Sequence, residues 1–284
     1  MMTLIISCIT PDYCFQVSDR RLTDLKGNTF EDEYNNEYEY NKSILLKNEG
    51  MFSFAYTGLA YLDDEQRSDQ WFIKRIAKSQ LHTTELLNSI AEQCTQAINR
   101  IDISKQYKRL AFVGIGWAYT NVKEKTELLP IYIIISNFHD KRGNWSNEIH
   151  ERFSSLVITP HKSSNIEVFC AGQLISDDRI MKLKRNLRKC IKSNREPSAM
   201  GILLIQAVRD VSKVNKLVGQ DLMITTLPKQ SIKRNSLLAV SSKPSKDEIT
   251  FLYIPKGKFE GVSYGPNFVA PNSWAFTNFE INYL

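Results

Sequence analysis

The sequence predicts an α+β fold, an αββα sandwich of two antiparallel sheets flanked by helices. Three observations predict it. Paired apolar runs open the chain, a long amphipathic helical pattern follows them directly, and a later pair of apolar runs leads into further helical segments. Strands that pair with near neighbours, alternating with blocks of helix, suggest packed sheets with helices outside.

At the head of the chain, Leu4 to Ile9 and Tyr13 to Val17 are joined by Thr10-Pro11-Asp12, and Ile44 to Leu46 and Phe52 to Tyr56 by Asn48-Glu49-Gly50. These read as two hairpins in series. The first run is apolar on both faces of a period-2 strand, so it should be covered on both sides. Asp63-Asp64-Glu65 reads as the start of a helix, continued by Trp71, Phe72, Arg75 and Ile76 at helical spacing. In the next helix Thr83 and Thr84 are candidate caps and Glu85 sits in the first turn; Leu86, Leu87, Ile90, Ala91, Cys94, Ala97, Ile98 and Ile101 share one face.

Leu110 to Trp117 and Leu129 to Ser136 read as another antiparallel pair, with a polar turn around Asn121 to Glu127. Residues 138 to 165 are polar and read as irregular. Ile166 to Ala171 reads as a strand, Ile175 to Lys192 as a basic helix, and Pro197 to Asn215 as a helix with proline in its first turn. Leu222 to Leu227 and Ile249 to Ile254 read as strands, the second after a Ser241 to Lys246 loop. The tail from Gly261 has no clear periodicity. Without an internal repeat or low-complexity linker, one domain over 1–227 is expected, with 228–284 as a C-terminal extension packed on it.

Of 284 residues, 42% are hydrophobic and 24% charged, enough apolar material for a sizeable core. No apolar run is long enough to span a bilayer, and the opening MMTLIISCI lacks the basic start and cleavage site of a secretory signal. Five cysteines without CxxC spacing argue against a disulfide framework or a zinc site and point to the reducing cytoplasm. Four histidines without HxH or HxxxH spacing give no metal site. No glycine-rich phosphate loop is present, so neither metal nor cofactor is expected. The basic helix carries Arg179, Lys182, Lys184, Arg185, Arg188, Lys189 and Lys192, with Asp177 and Asp178 at its start. That order complements the helix dipole on a solvated face, and no nucleic-acid partner is expected from it or from a net charge of +6. The acidic insert Glu31 to Tyr40 reads as a surface loop.

The candidate chemistry lies at the head of the chain. Thr3 opens the buried strand, Asp19 follows 16 residues later in Ser18-Asp19-Arg20-Arg21, Lys42 heads the third strand, and Gly58 ends the fourth. This constellation resembles the proteasome β-subunit family of N-terminal-nucleophile (Ntn) hydrolases, well over Thr3 to Gly58 and loosely over Glu65 to Thr226. The resemblance implies the αββα sandwich and a threonine-type amidohydrolase, most simply a peptidase. In it, Thr3 freed of Met1-Met2 is the nucleophile and its own amine the base. Lys42 lowers the hydroxyl's pKa, Asp19 orients Lys42, and Gly58 offers its N–H to the oxyanion. Arg21 would brace the charges, and Leu22, Tyr56 and Ala60 would line the pocket for the side chain before the cut bond. The resemblance also implies a peptide or protein substrate and self-assembly into a ring or dimer.

The chain departs from the family in its supporting hydroxyls. Cys170-Ala171-Gly172-Gln173 stands where a serine is expected, and Val214-Asn215-Lys216-Leu217-Val218 where an aspartate and a serine are expected. Gln173 and Asn215 are the candidate supporting residues there. These departures leave open a catalytically inactive scaffold or partner-binding subunit.

Overall fold

The computed structural model describes residues 3–21, 42–62, 66–122, 125–160, 166–173, 175–233, 247–259, 262–263, 267–270 and 273–276. Asp63-Asp64-Glu65, His161, the 31–40 insert and the 241–246 loop lie outside the described residues.

Strand β1 (Leu4–Ile9) and β2 (Tyr13–Asp19) form the first hairpin. Thr10 closes its turn: its N–H donates to the Tyr13 carbonyl at 2.8 Å, and its hydroxyl oxygen accepts the Tyr13 N–H at 2.9 Å. Strands β3 (Ile44–Lys47) and β4 (Gly50–Gly58) form the second hairpin. The two hairpins belong to different sheets. Helices α1 (Ser68–Ala77) and α2 (Thr83–Arg100) follow, then β5 (Leu110–Val122) and β6 (Lys125–Ser136), β7 (Ser154–Ile158) and β8 (Glu167–Gly172). After them come α3 (Asp177–Lys192), α4 (Pro197–Ser212), β9 (Leu222–Pro228), α5 (Lys229–Lys233) and β10 (Thr250–Ile254). The described chain ends with β11 (Val262–Ser263), β12 (Asn267–Ala270) and β13 (Ser273–Phe276).

One sheet has the order β11-β10-β9-β2-β1-β8 and the other β13-β12-β3-β4-β5-β6-β7. Together with the helices they make the αββα sandwich. Alternation along β4 shows why the layers form. Phe52, Phe54 and Tyr56 enter the core shared with Trp71, Phe72, Leu87 and Ile90 of α1 and α2. Met51 and Ala55, on the other face, enter the core between the sheets with Ile5, Ile9 and Val113. On the far side, Leu4, Ile6 and Cys8 of β1 pack against Leu183, Leu187, Leu204 and Val208 of α3 and α4. All six residues of β1 are buried, as expected for a strand covered on both faces.

Several expectations are corrected. Helix α1 begins at Ser68 and is held there by hydrogen bonds from the Ser68 N–H to the Ala60 carbonyl and from its hydroxyl to the Leu59 carbonyl. Thr83 does not cap α2 by side chain. It is the first helical residue, its hydroxyl donates to the Asn48 carbonyl at 3.1 Å, and the Glu49 carboxylate of the β3–β4 turn accepts its N–H at 3.0 Å. The polar stretch expected to be a turn between β5 and β6 largely continues the ladder, pairing Tyr119 with Leu128 and Thr120 with Glu127. Backbone pairing there needs no apolar alternation. Residues 154–158 within the expected irregular stretch form β7 against β6. The tail supplies β11, β12 and β13, and β12 runs parallel to β3, so the second sheet is not purely antiparallel.

Candidate active site

Thr3 lies at the head of β1, inside the sandwich, where Lys42, Thr57 and Gln173 reach it. Lys42, just before β3, donates from Nζ to the Thr3 hydroxyl oxygen at 2.6 Å. The same ammonium donates to the Arg21 carbonyl and stands 3.6 Å from Asp19 Oδ1. Asp19 is the last residue of β2, so the β1–β2 register carries it back to the start of β1. There its Oδ2 accepts the Leu4 N–H at 2.7 Å, while Oδ1 accepts the Arg21 N–H at 3.1 Å. The Gly219 N–H donates to the same carboxylate. Arg21 reaches from this cluster to the Lys216 carbonyl, and the Arg20 N–H donates to the Asp221 carbonyl at 3.0 Å, so the segment after α4 is laced to the end of β2.

Lys42 and Asp19 are both removed from water, at 1% and 0% exposure. Burial pushes the Lys42 ammonium below the ordinary lysine value, opposed by the attraction of Asp19. Burial pushes the Asp19 carboxyl up, opposed by Lys42 and by three backbone N–H donors. Such an arrangement costs stability relative to an apolar packing of similar volume, and buried, perturbed groups of this kind cluster at functional sites. Chemically, it offers a hydroxyl held against a cation whose proton is loosened by its surroundings.

The Thr3–Leu4 peptide is held at both of its polar atoms. The Thr3 carbonyl accepts from the Thr57 hydroxyl at 3.2 Å and from the Gln173 N–H at 3.1 Å, while the Leu4 N–H goes to Asp19. Gly172 makes that approach available: at φ 81°, a Cβ there would lie 1.8 Å from the Thr3 carbonyl oxygen. Gly58 adopts φ 104°, and a Cβ there would lie 2.1 Å from the Arg109 carbonyl oxygen. Glycine is therefore required at 58 by close packing against β5, whatever else its N–H does.

Of the residues singled out from sequence, Thr3, Asp19, Arg21 and Lys42 come together in one hydrogen-bonded cluster, and Gln173 joins it through its main chain. Gly58 follows Thr57, which touches Thr3. Asn215 accepts the Leu217 N–H at 2.9 Å and so shapes its own turn. Tyr56 faces the core shared with α1 and α2, the side of β4 opposite Ala55, and Ala60 is buried where α1 begins. Leu22, Met1 and Met2 lie outside the described residues. Thr57, Gly172, Gly219 and the Lys216 carbonyl were missed. A signal for Thr57 was available: it is a polar residue on the inter-sheet face of β4, next to Gly58. The other three act through main-chain atoms or through the absence of a side chain, which no side-chain pattern reports.

Fold and site together define a two-sheet sandwich with a threonine-lysine-aspartate cluster buried where the sheets meet. No protein-family model matches the chain, and no curated protein matches it. Among solved structures it is similar to Anbu (ancestral beta-subunit) from Yersinia bercovieri, at 12% identity over 79% of this chain and 81% of that one, with a TM-score of 0.45. It is also similar to an Anbu (Gly-1) mutant from Hyphomicrobium sp. strain MC1, at 13% identity over 80% and 82% of the two chains, with a TM-score of 0.43. Likenesses at this level carry no information on activity. No helix among the described residues is long and apolar enough to cross a membrane.

Proposed function

We propose that the chain is a threonine-type Ntn amidohydrolase acting on peptide bonds, with Thr3 as nucleophile. The observation that carries this reading is the 2.6 Å hydrogen bond from Lys42 Nζ to the Thr3 hydroxyl oxygen inside a buried, charge-bearing cluster. The reading requires Thr3 to carry a free amine. That amine, with a reference pKa of about 7.7–8.0, takes the hydroxyl proton as the oxygen adds to the substrate carbonyl. Lys42, held charged by Asp19, lowers the hydroxyl's pKa, and the Gly58 N–H stabilises the oxyanion. Collapse of that adduct breaks the C–N bond, and the departing amine takes up the proton. Water then hydrolyses the ester on Thr3 and regenerates the hydroxyl. Arg21 braces the charges from the Lys216 side, and Gln173 and Asn215 shape the surrounding loops. Self-assembly into a ring or dimer of like subunits belongs to the same reading, and five free cysteines suit a reducing cytoplasm.

A non-catalytic scaffold or partner-binding subunit is the second reading. It is favoured by the glycine at 172, which brings no hydroxyl beside Thr3, and by Asn215, whose side chain is spent on Leu217. The two separate by intact mass and labelling of untagged protein, native and Thr3→Ala. Loss of both methionines, with stoichiometric capture of a hydroxyl-directed peptide electrophile that Thr3→Ala abolishes, supports the hydrolase. Retained methionines without capture would leave the scaffold. Light scattering on the same samples reads the assembly state.

A further inference from the structure

Thr57 belongs to a β4 face that otherwise packs between the sheets, at 2% exposure, yet its hydroxyl is not spent inside its own sheet. It crosses to the other sheet and donates to the Thr3 carbonyl at 3.2 Å. The Gln173 N–H donates to the same oxygen, and Asp19 takes the N–H of the same peptide from the opposite edge. With three hydrogen bonds on one peptide unit, its plane and the Thr3 Cα attached to it are fixed, and the remaining freedom of the Thr3 hydroxyl lies in ψ and χ1. Gly172 leaves the space in which this happens, since a Cβ there would lie 2.7 Å from Thr57 Oγ1 as well as against the Thr3 carbonyl. The backbone donor Gln173 and the carboxylate Asp19 are anchored by their strands. Thr57 is the one member of the clamp that a single side-chain change removes without altering charge.

We infer that Thr57 is a positioning residue: by fixing the Thr3–Leu4 peptide plane it places the Thr3 Cα from which the hydroxyl reaches Lys42. Its catalytic consequence rests on the hydrolase reading above, whereas its geometric consequence does not. Reactions of held groups are sensitive to displacement, with about 1 Å of misplacement worth about a hundredfold. Thr57→Val keeps the shape and removes the donor; Thr57→Ser restores the donor on a smaller side chain.

The experiment compares the native chain, Thr57→Val and Thr57→Ser by two readouts. The first is the rate of Thr3 capture by a peptide electrophile, separated into its saturation constant and its limiting rate. The second is the titration of Lys42 followed by NMR of its side chain, which needs no activity. For Thr57→Val the limiting rate is expected to fall about ten- to a hundredfold with the saturation constant unchanged, and Thr57→Ser to recover most of the loss. Lys42 is expected to titrate at lower pH in Thr57→Val, because its ammonium loses the Thr3 oxygen as acceptor, and to return in Thr57→Ser. An unlabelled native chain whose Lys42 titration still responds to Thr57→Val would retire the hydrolase reading and keep the positioning role. A folded Thr57→Val with native Lys42 titration overturns the positioning role, whether or not the native chain is labelled.

Discussion

Two polar clusters tie the sheets together, Gln16 in the middle of β2 and Asp19 with Lys42 at its end, and they differ in what burial does to them. Gln16 donates from Nε2 to the Ser7 hydroxyl at 3.3 Å and to the Val113 carbonyl at 3.1 Å, while its Oε1 accepts the Ser53 hydroxyl at 2.9 Å. Every contact is neutral, so the bridge needs no charge to be held out of water. Asp19 and Lys42 place two ionisable groups in the same kind of surroundings, and burial works on both of them toward the uncharged form. A neutral bridge suffices to join sheets. The charged cluster is therefore better explained by the hydroxyl it addresses than by the packing it provides.

The sharpest way to break this comparison is to remove Asp19. Asp19→Ala leaves three backbone N–H groups without their acceptor and a buried ammonium without its counter-charge, and is expected to cost about 3–5 kcal/mol, read as a shift in the denaturation midpoint. A loss no larger than that of a surface substitution would mean that water enters the cluster freely. The next effect is on activity. If charged Lys42 activates Thr3, kcat/KM rises with the amine near pH about 7.7–8.0 and falls again as Lys42 deprotonates. Because burial lowers that lysine, the falling limb is expected below the ordinary value of 10.5. A profile that stays flat through that range would remove Lys42's charge from the mechanism.

A smaller effect tests the other half of the comparison. Gln16→Leu strands the Ser7 and Ser53 hydroxyls and the Val113 carbonyl, and is expected to cost about 1–3 kcal/mol with Thr3 capture rates unchanged. If capture slows in proportion to the lost stability, the two clusters are one coupled network and the contrast between them dissolves.

Both hairpins were legible because short apolar runs joined by turn residues report them, as Thr10-Pro11-Asp12 does. The α2 stripe was legible through its helical spacing. Strands β7 and β12 were not: Ser154–Ile158 is only partly buried, and Asn267–Ala270 draws its order from pairing with a strand more than two hundred residues earlier. The cluster Thr3, Asp19 and Lys42 was legible through the joint spacing on which the family resemblance rests, since each residue alone reads as an ordinary strand-end residue. Its clamp was not, since Gln173 and Gly219 contribute backbone N–H groups, which every residue but proline carries.

Glu49 shows the same limit at the surface, and provides the smallest test. Its sequence setting, Asn48-Glu49-Gly50, predicts only a turn, yet its carboxylate accepts the first N–H of α2 from outside the helix, with His82 Nδ1 2.6 Å from its other oxygen. The Thr83 N–H, foremost, holds its pKa below the ordinary 4.5. A carboxyl depressed in the folded state contributes stability above its unfolded pKa and loses it as pH falls through the folded value. At 47% exposure the contribution is screened, so Glu49→Gln is expected to cost less than about 1 kcal/mol at neutral pH. Glu49 also adopts φ 46°, and glutamine keeps whatever strain that imposes, so the comparison isolates charge. The difference in melting temperature between native and Glu49→Gln should close once the pH falls below the folded pKa of Glu49. A difference that persists unchanged into acid would assign the stabilisation to side-chain shape, and leave α2 without a charged cap; the two buried clusters would then be the sites where polar placement matters most.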